Sequence, residues 1–461
     1  MVQLKQSRFL VSFDLDNEKK VLVSNLTNAI CVVDSEALSV VEDFKFPTHE
    51  ETYVQNPETA DLINQLRRGG ILVEADTDEL GLYERRIKYA SREAVYTLVL
   101  TYDCNLACAY CYEGHKEPEH LTIDTAKKIL DFISARARKE KQKRVGIGFY
   151  GGEPLLRKEA MFEILELAEQ MLPRETTLST SIATNGVLLT DDITEVLKNY
   201  NCENIQITID GPPEIHDKRR PKISGAGTFE DVIAGAQSVL RHSIILLLRV
   251  NLDSENISYV PQFIEVLKSL KFNQPDVLIM PSPVLTTTSA CKDYAHYCLS
   301  SPRYASMIVS CLKEFGEQGF NVFWREARPS IHYCEALGKN ARLIFDARGD
   351  AYTCLAGLRR EEYLVGNIHN RPIIDKSLFS KWEQRSPLQF EECMNCDIVG
   401  FCGGGCPDEA FDEHGTFDAI HCPYILYSYK DAIREYINLK LKYPSRWRRG
   451  YPTRLMGDTD V

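Results

Sequence analysis

Two residues beyond the apolar stretch Val95 to Leu100, which reads as a β-strand, the chain runs Tyr102-Asp-Cys104-Asn-Leu-Ala-Cys108-Ala-Tyr-Cys111-Tyr-Glu-Gly. Three thiolates at the spacing C-x3-C-x2-C can hold three irons of a four-iron cluster and leave the fourth without a protein ligand. A structural metal site is normally closed by a further residue, whereas a centre that must bind a substrate keeps one position open. Taken alone, the three cysteines are also compatible with zinc or with buried thiols. In β/α barrels, active sites lie at the C-terminal ends of the strands, and a metal loop directly after a strand stands there.

The surrounding pattern supports such a barrel. From about Ala94 to Phe320, apolar strands alternate with helical periodicity: Val95 to Leu100, Val145 to Phe149, Ser179 to Ala183, Ile205 to Ile209, Ile244 to Val250 and Val277 to Met280. Helices are expected between them, as at Thr125 to Ala137 and Asp192 to Asn199. The second strand leads into Tyr150-Gly-Gly-Glu-Pro154, a turn of small residues that lets backbone approach a ligand beside one carboxylate.

The cysteine spacing, and the Gly-Gly-Glu-Pro turn after strand two, resemble those of radical S-adenosylmethionine (SAM) enzymes. The resemblance implies an α/β fold, a partial (β/α)6 TIM-type barrel over residues 94–320, with Cys104, Cys108 and Cys111 holding a [4Fe-4S] cluster. In that family SAM chelates the open iron, and an electron from the cluster cleaves it to a 5′-deoxyadenosyl radical. The resemblance further implies that Gly151, Gly152 and Glu153 hold the SAM amino group, and that Arg220 takes its carboxylate, a task suited to a fork of fixed donors. Thr208 takes the place of the ribose-binding hydroxyl, Asn185-Gly186 is either a sugar contact or a plain turn, and Tyr110 belongs to the same cofactor-binding set.

Seven further cysteines and one glycine spell C-x14-G-x4-C, then C-x2-C-x5-C-x3-C-x15-C, from Cys334 through Gly349 to Cys422. This resembles the SPASM extension of peptide and protein maturases, which carries auxiliary four-iron clusters. Residues 330–425 are read as that domain, and 426–461 as a C-terminal helix and tail tied down by Trp447. The family pattern gives Cys393, Cys396, Cys402 and Cys422 to one cluster, and Cys334, Cys354 and Cys406 to another that is one protein ligand short. His332, water or a substrate thiolate could complete it, and three [4Fe-4S] clusters are expected in all. Cys31, Cys202, Cys291, Cys298 and Cys311 fit neither array and are read as core or surface thiols.

Residues 1–90 form a separate module in this reading, with strands at Phe9 to Phe13, Lys20 to Val23, Ala29 to Val33 and Ile71 to Glu74, a helix Ser35 to Phe44 capped by Ser35, and another from Thr59 to Arg68. That winged-helix pattern suggests DNA, but ten Lys and Arg face sixteen Asp and Glu in this module, and the whole chain carries a net charge of −12. The module resembles the leader-recognition domains of peptide-modifying enzymes, which capture an extended leader as an added strand. No nucleic acid and no membrane partner are expected. With no apolar span of membrane length or signal segment, and with ten of the fifteen cysteines arranged as metal ligands, the cytoplasm is the expected compartment.

Together these features imply a peptide maturase that installs a crosslink, favoured as a Cys thioether, in a ribosomally made precursor peptide with a leader. It would draw electrons from a small flavodoxin- or ferredoxin-type protein. An anaerobic sulfatase maturase is the alternative, although Leu355 stands where those relatives place an Asp base after the cysteine matching Cys354. A non-catalytic iron-sulfur scaffold is the third reading.

Overall fold

The computed structural model describes residues 2–89, 94–111, 118–284, 289–323, 334–337, 342–374, 376–423 and 425–443. His332 and Trp447 lie outside them. The chain divides into two compact units, one of residues 1–90, 324–334 and 384–461, the other of residues 91–323 and 335–383. The front module thus shares a unit with most of the C-terminal cysteines. Residues 335–383, including Gly349 and Cys354, belong with the barrel.

In the first unit, β1 (Gln3–Gln6), β2 (Leu10–Asp14), β3 (Lys20–Ser24), β4 (Ile30–Val33), β5 (Thr48–His49) and β6 (Leu72–Glu74) form two antiparallel three-stranded sheets, ordered β5-β1-β6 and β2-β3-β4. The helices α1 (Ser35–Asp43) and α2 (Pro57–Arg68) bury Val41, Ile63 and Leu66 against Leu4, Leu22 and Phe44. Asp34 rather than Ser35 caps α1, its carboxylate accepting the Ala37 amide at 2.9 Å. Both residue types are good caps, and the one whose backbone is still extended takes the role. The helix α3 (Glu79–Tyr89) ends the front module.

In the second unit, six parallel strands follow one another across the sheet: β7 (Ala94–Thr101), β8 (Arg144–Gly151), β9 (Thr177–Thr184), β10 (Cys202–Thr208), β11 (Ile245–Leu252) and β12 (Val277–Pro283). They match the six expected strands, with differences confined to the ends. The helices between them are α4 (Ile123–Glu140), α5 (Lys158–Met171), α6 (Asp191–Asn199), α7 (Pro213–Arg219), α8 (Phe229–Arg241) and α9 (Val260–Ser269). In α4, Ala126, Ile129, Leu130, Ile133 and Ala137 are buried at helical spacing, the stripe that a sheet-covering helix needs.

The helix α10 (Ser301–Glu317) returns the chain to β13 (Asn321–Val322), parallel to β12 at one edge. On the other side β14 (Leu343–Phe345) adds parallel to β7, and β15 (Asp350–Tyr352) and β16 (Leu364–Asn367) follow antiparallel. The ten-stranded sheet therefore ends in β13 and β16 and is an open, partial barrel. The helix α11 (Lys376–Glu383) completes this unit, and α12 (Glu391–Met394), α13 (Val399–Cys402), α14 (Pro407–His414) and α15 (Ile425–Lys442) return to the first.

Candidate functional site

At the C-terminal ends of β7 to β12 the barrel opens a cavity of about 620 Å³. Its wall includes Cys104, Cys108, Cys111, Tyr110, Gly151, Gly152, Asn185, Thr208 and Arg220, all but one of the expected barrel-site residues. The remaining one, Glu153, lies just behind the wall. Its carboxylate is 0% exposed and accepts the Leu155 amide (3.0 Å), the Thr184 hydroxyl (2.7 Å) and the Asn185 amide (2.7 Å). Burial raises its pKa, against the pull of those hydrogen bonds. In this arrangement Glu153 ties the end of β8 to the end of β9, and through Asn185 it orders the cavity rim.

The glycines before Glu153 are needed for a close approach. A Cβ on Gly151, whose φ is +145°, would stand 2.2 Å from the Thr101 carbonyl oxygen, and one on Gly152 would stand 2.4 Å from that of Asp103. The backbone at the end of β8 therefore lies flat against the start of the cysteine loop, and the Gly152 and Glu153 amides donate to the Thr101 and Asp103 carbonyls. The other flank of the loop is held by the segment after α7: the Ala107 amide donates to Pro221, Ala109 to Arg219 and Ile223 to Asn105. The Leu106 amide is 3.4 Å from the Cys104 sulfur, a donor suited to a thiolate.

A buried polar network backs the loop. The Tyr110 hydroxyl donates to the Asp210 carboxylate and accepts from Arg220 Nη1 (2.8 Å) and Asn251 Nδ2 (3.1 Å). Arg219 forms a two-pronged pair with Asp253 at 3.1 and 2.9 Å, and its guanidinium lies 4.9 Å from the centre of the Tyr110 ring. Burial would lower the Arg220 pKa, but Cys108, Tyr110 and Asp210 outweigh it and hold the group charged. His216 is neutral, pushed down to about 3 by burial and then by Arg220. The Asp210 amide donates to its Nδ1, so the proton sits on Nε2, facing Thr228.

The residues fit the groups that the sequence reading implied. Arg220 is 8% exposed and lines the cavity, yet its Nε has no partner among the described residues. A buried donor in that state is costly unless an anionic ligand completes it. Among the described residues, no three His, Cys, Asp or Glu side chains converge as they would on a single ion.

Asp210, Asn251, Asp253 and Tyr294, which also touches Arg219, carried no assigned role in the sequence reading. A signal for part of this set is visible in hindsight. Asn204, Gln206 and Thr208 alternate along β10, and Leu247, Arg249 and Asn251 along β11, and all six line the cavity.

In the first unit, the thiol of Cys393 is pushed up to about 11 by burial and then by Cys396 and Cys422, and that of Cys402 to about 12 by burial and then by Cys422 and Cys393. Cys393, Cys396, Cys402 and Cys422 thus act on one another electrostatically. Between Cys402 and Cys406 the backbone turns through Gly403, Gly404 and Gly405, all at positive φ. A Cβ on Gly405 would fall 1.6 Å from the His421 carbonyl oxygen, so only glycine lets this strand of chain pass beside Cys422. The front module packs on the same region. Phe9, Leu26 and Tyr83 share an apolar cluster with Cys393 and Val399, and the Tyr83 hydroxyl donates to the Val399 carbonyl at 2.9 Å. Asn25 Nδ2 donates to the Asp397 carbonyl and Arg8 to that of Met394. Cys31, Cys202 and Cys311 are buried thiols pushed up to about 12, consistent with core packing.

Residues 98–267 match the family model of the Radical SAM superfamily. The serine-type anaerobic sulfatase-maturating enzyme of Bacteroides thetaiotaomicron is 22% identical over 67% of this chain and 81% of its own length. The radical SAM cyclopropyl synthase TigE of Paramaledivibacter caminithermalis is 20% identical over 90% of this chain and 92% of its own. Among solved structures, Streptococcus suis SuiB bound to precursor peptide SuiA matches with a TM-score of 0.55 at 13% identity, covering 92% of this chain and 99% of that one. No described helix is long and apolar enough to cross a membrane.

Proposed function

The chain is a radical SAM enzyme, and from that premise we propose that it is a peptide maturase that installs a crosslink, a Cys thioether, in a ribosomally synthesised precursor peptide. When bound, the cluster and SAM supply a carbon radical that removes a substrate hydrogen. Cys104, Cys108 and Cys111 would hold the cluster, on a segment whose described part, up to residue 111, is held on both flanks by backbone hydrogen bonds. Arg220 would take the SAM carboxylate on its free Nε, while Tyr110, Asp210 and Asn251 keep the guanidinium in place. Thr208 and Asn185, which line the cavity, would meet the sugar hydroxyls. The C-terminal cysteines would hold two auxiliary clusters, making three, and a flavodoxin- or ferredoxin-type protein would supply the electrons.

The observation that carries the choice of reaction is Leu355. It lines the cavity, and no Asp or Glu appears among the described lining residues. Forming a C–S bond between a substrate carbon and a substrate thiolate needs no wall carboxylate once the thiol is deprotonated, whereas converting Cys or Ser to formylglycine requires a base at the reacting side chain. Similarity to TigE over nine-tenths of the chain supports a substrate delivered by a leader. The similarity to sulfatase-maturating enzymes favours the alternative, over a smaller share of the chain.

Anaerobic co-expression with leader-bearing, Cys-containing candidate peptides tests the proposal. The product should be about two hydrogens lighter per crosslink, since one bond forms at the expense of two X–H bonds. Changing the peptide Cys to Ser should abolish it while SAM cleavage persists. Equal crosslinking of the Ser peptide would refute the thioether, and an aldehyde on a sulfatase-type peptide would establish the alternative.

A further inference from the structure

Outside the barrel site, the first unit holds a buried cation with a free hydrogen-bonding arm. Arg385 is 2% exposed. Its Nε donates to the Phe417 carbonyl (2.8 Å), and its Nη2 donates to the carbonyls of Gly404 (3.1 Å) and Ala419 (2.7 Å). Its guanidinium also lies 5.6 Å from the centre of the Phe390 ring. These contacts fix the plane of the group and span the two loops that lead into Cys406 and Cys422. The remaining arm, Nη1, is buried and has no partner among the described residues. It lies against Gly404, where a Cβ would come within 3.3 Å of it, so the glycine makes room for the group.

A buried guanidinium with unspent donors costs free energy that carbonyl oxygens alone do not recover, because they satisfy its hydrogen bonds but supply no compensating negative charge. The groups that can supply an opposing charge here are cysteine thiols and Asp418. After burial, which lowers the Arg385 pKa, the largest influences on the group come from Cys334 and then Cys406, ahead of Asp418 and Cys393. Arginine suits this position, since it keeps its charge when buried and holds its donors in a rigid fork. Nothing in the peptide-maturase reading uses it.

We propose that Arg385 is a tuning residue for the auxiliary cluster that includes Cys334 and Cys406, its Nη1 donating a charge-assisted hydrogen bond to a sulfur of that cluster. The inference rests on the cluster reading of the C-terminal cysteines. Hydrogen bonds and positive charge at cluster sulfur stabilise the reduced, more negative state, so Arg385 raises the reduction potential of that cluster and makes it the better electron acceptor. For a bond-forming reaction that leaves one electron over after hydrogen removal, such a cluster is where that electron is most readily held.

The test uses the full chain, reconstituted anaerobically. Iron and sulfide per chain come first, then pulsed EPR of reduced protein grown on arginine labelled with 15N only in the guanidino group. A 15N coupling is expected on one auxiliary cluster, identified by the loss of its signal in Cys406→Ala, and the coupling should vanish in Arg385→Lys. In Arg385→Gln the reduced-to-oxidised ratio of that cluster at fixed poise should fall about tenfold, equal to about 59 mV for a one-electron couple. Arg385→Lys, which keeps the charge but not the fork, should fall between, and the cluster at Cys104, Cys108 and Cys111 should not shift. The labelled parent keeps the idea testable even if Arg385→Gln does not fold. Iron for a single cluster in the parent would overturn the auxiliary-cluster reading and this inference with it. A full iron count without the coupling, or with unchanged ratios in both variants, would overturn this inference alone.

Discussion

Deleting residues 1–90, the obvious way to ask whether the front module captures a leader, should instead destroy the Cys393, Cys396, Cys402 and Cys422 region. Phe9, Leu26 and Tyr83 are buried in one apolar cluster with Cys393 and Val399. Returning each such side chain to water costs about 1.5–3 kcal/mol, so the three contribute about 5–9 kcal/mol. The bonds from Tyr83 to Val399, Asn25 to Asp397 and Arg8 to Met394 add about 1 kcal/mol each, giving about 8–12 kcal/mol. That is comparable to the whole stability of a domain, about 5–15 kcal/mol. The truncated chain should therefore reconstitute with iron for the barrel cluster alone, and residues 391–423 should become sensitive to limited proteolysis. Milder variants should grade the effect: Phe9→Ala should cost about 3–5 kcal/mol of unfolding free energy through the cavity it leaves, and Tyr83→Phe about 1–3 kcal/mol through the unpaired carbonyl of Val399. A truncated chain that retains the parent's iron and protease resistance would refute this account of the packing. Leader capture is then better tested by proline substitutions at sheet edges in the front module, which block an added strand and leave the Phe9 and Tyr83 contacts untouched.

In Arg220→Lys the SAM carboxylate loses a charged fork, which should weaken SAM binding by about 1.5–3 kcal/mol, roughly 10- to 150-fold, in anaerobic equilibrium dialysis; an unchanged Kd with intact iron content would remove Arg220 from the SAM site. The combined replacements Cys104→Ala, Cys108→Ala and Cys111→Ala should cost one cluster's worth of iron and all SAM cleavage, with the C-terminal iron retained. Asp346, which accepts the Tyr102 hydroxyl, is pushed up to about 6 by burial and then by Asp350. Its folded pKa lies above the unfolded value, so it favours folding most below about pH 4 and that contribution is lost as pH rises through about 6. Thermal unfolding of Asp346→Asn should accordingly lose less stability than the parent between pH 4.5 and 7.5, by about 2 kcal/mol, and parallel pH profiles would refute the assignment.

The barrel was legible because each of its signals is local. A strand such as β7 declares itself by apolar β-formers, α4 by a buried stripe at helical spacing, and the cysteine loop by its position after the first of them. The cap of α1 was misplaced by one residue, since Asp34 and Ser35 are both capping types and only the backbone conformation separates them. What sequence did not reveal are the contacts that join distant segments: Tyr83 and Val399 lie 316 positions apart, and no periodicity encodes their meeting. The front module therefore reads as independent although it forms one unit with most of the C-terminal cysteines.

The same limit explains the two arginines. Arg220 was found through a motif, while Arg385 belongs to none and becomes visible only when its three carbonyl partners and its free Nη1 are seen together. Both are buried guanidinium groups with one donor left unsatisfied, each among cysteine thiols, Cys108 for one and Cys334 with Cys406 for the other. On the proposed reading, these two costly groups beside the two cysteine arrays would neutralise anions at both, a carboxylate in the barrel and cluster sulfur in the C-terminal region. Charge-conserving replacement should separate the two roles: lysine at 220 should act on SAM affinity and leave the auxiliary potentials alone, and lysine at 385 should do the reverse. If both variants moved both quantities, the two sites would be coupled through the fold, and the division of labour between barrel and C-terminal cysteines would have to be abandoned.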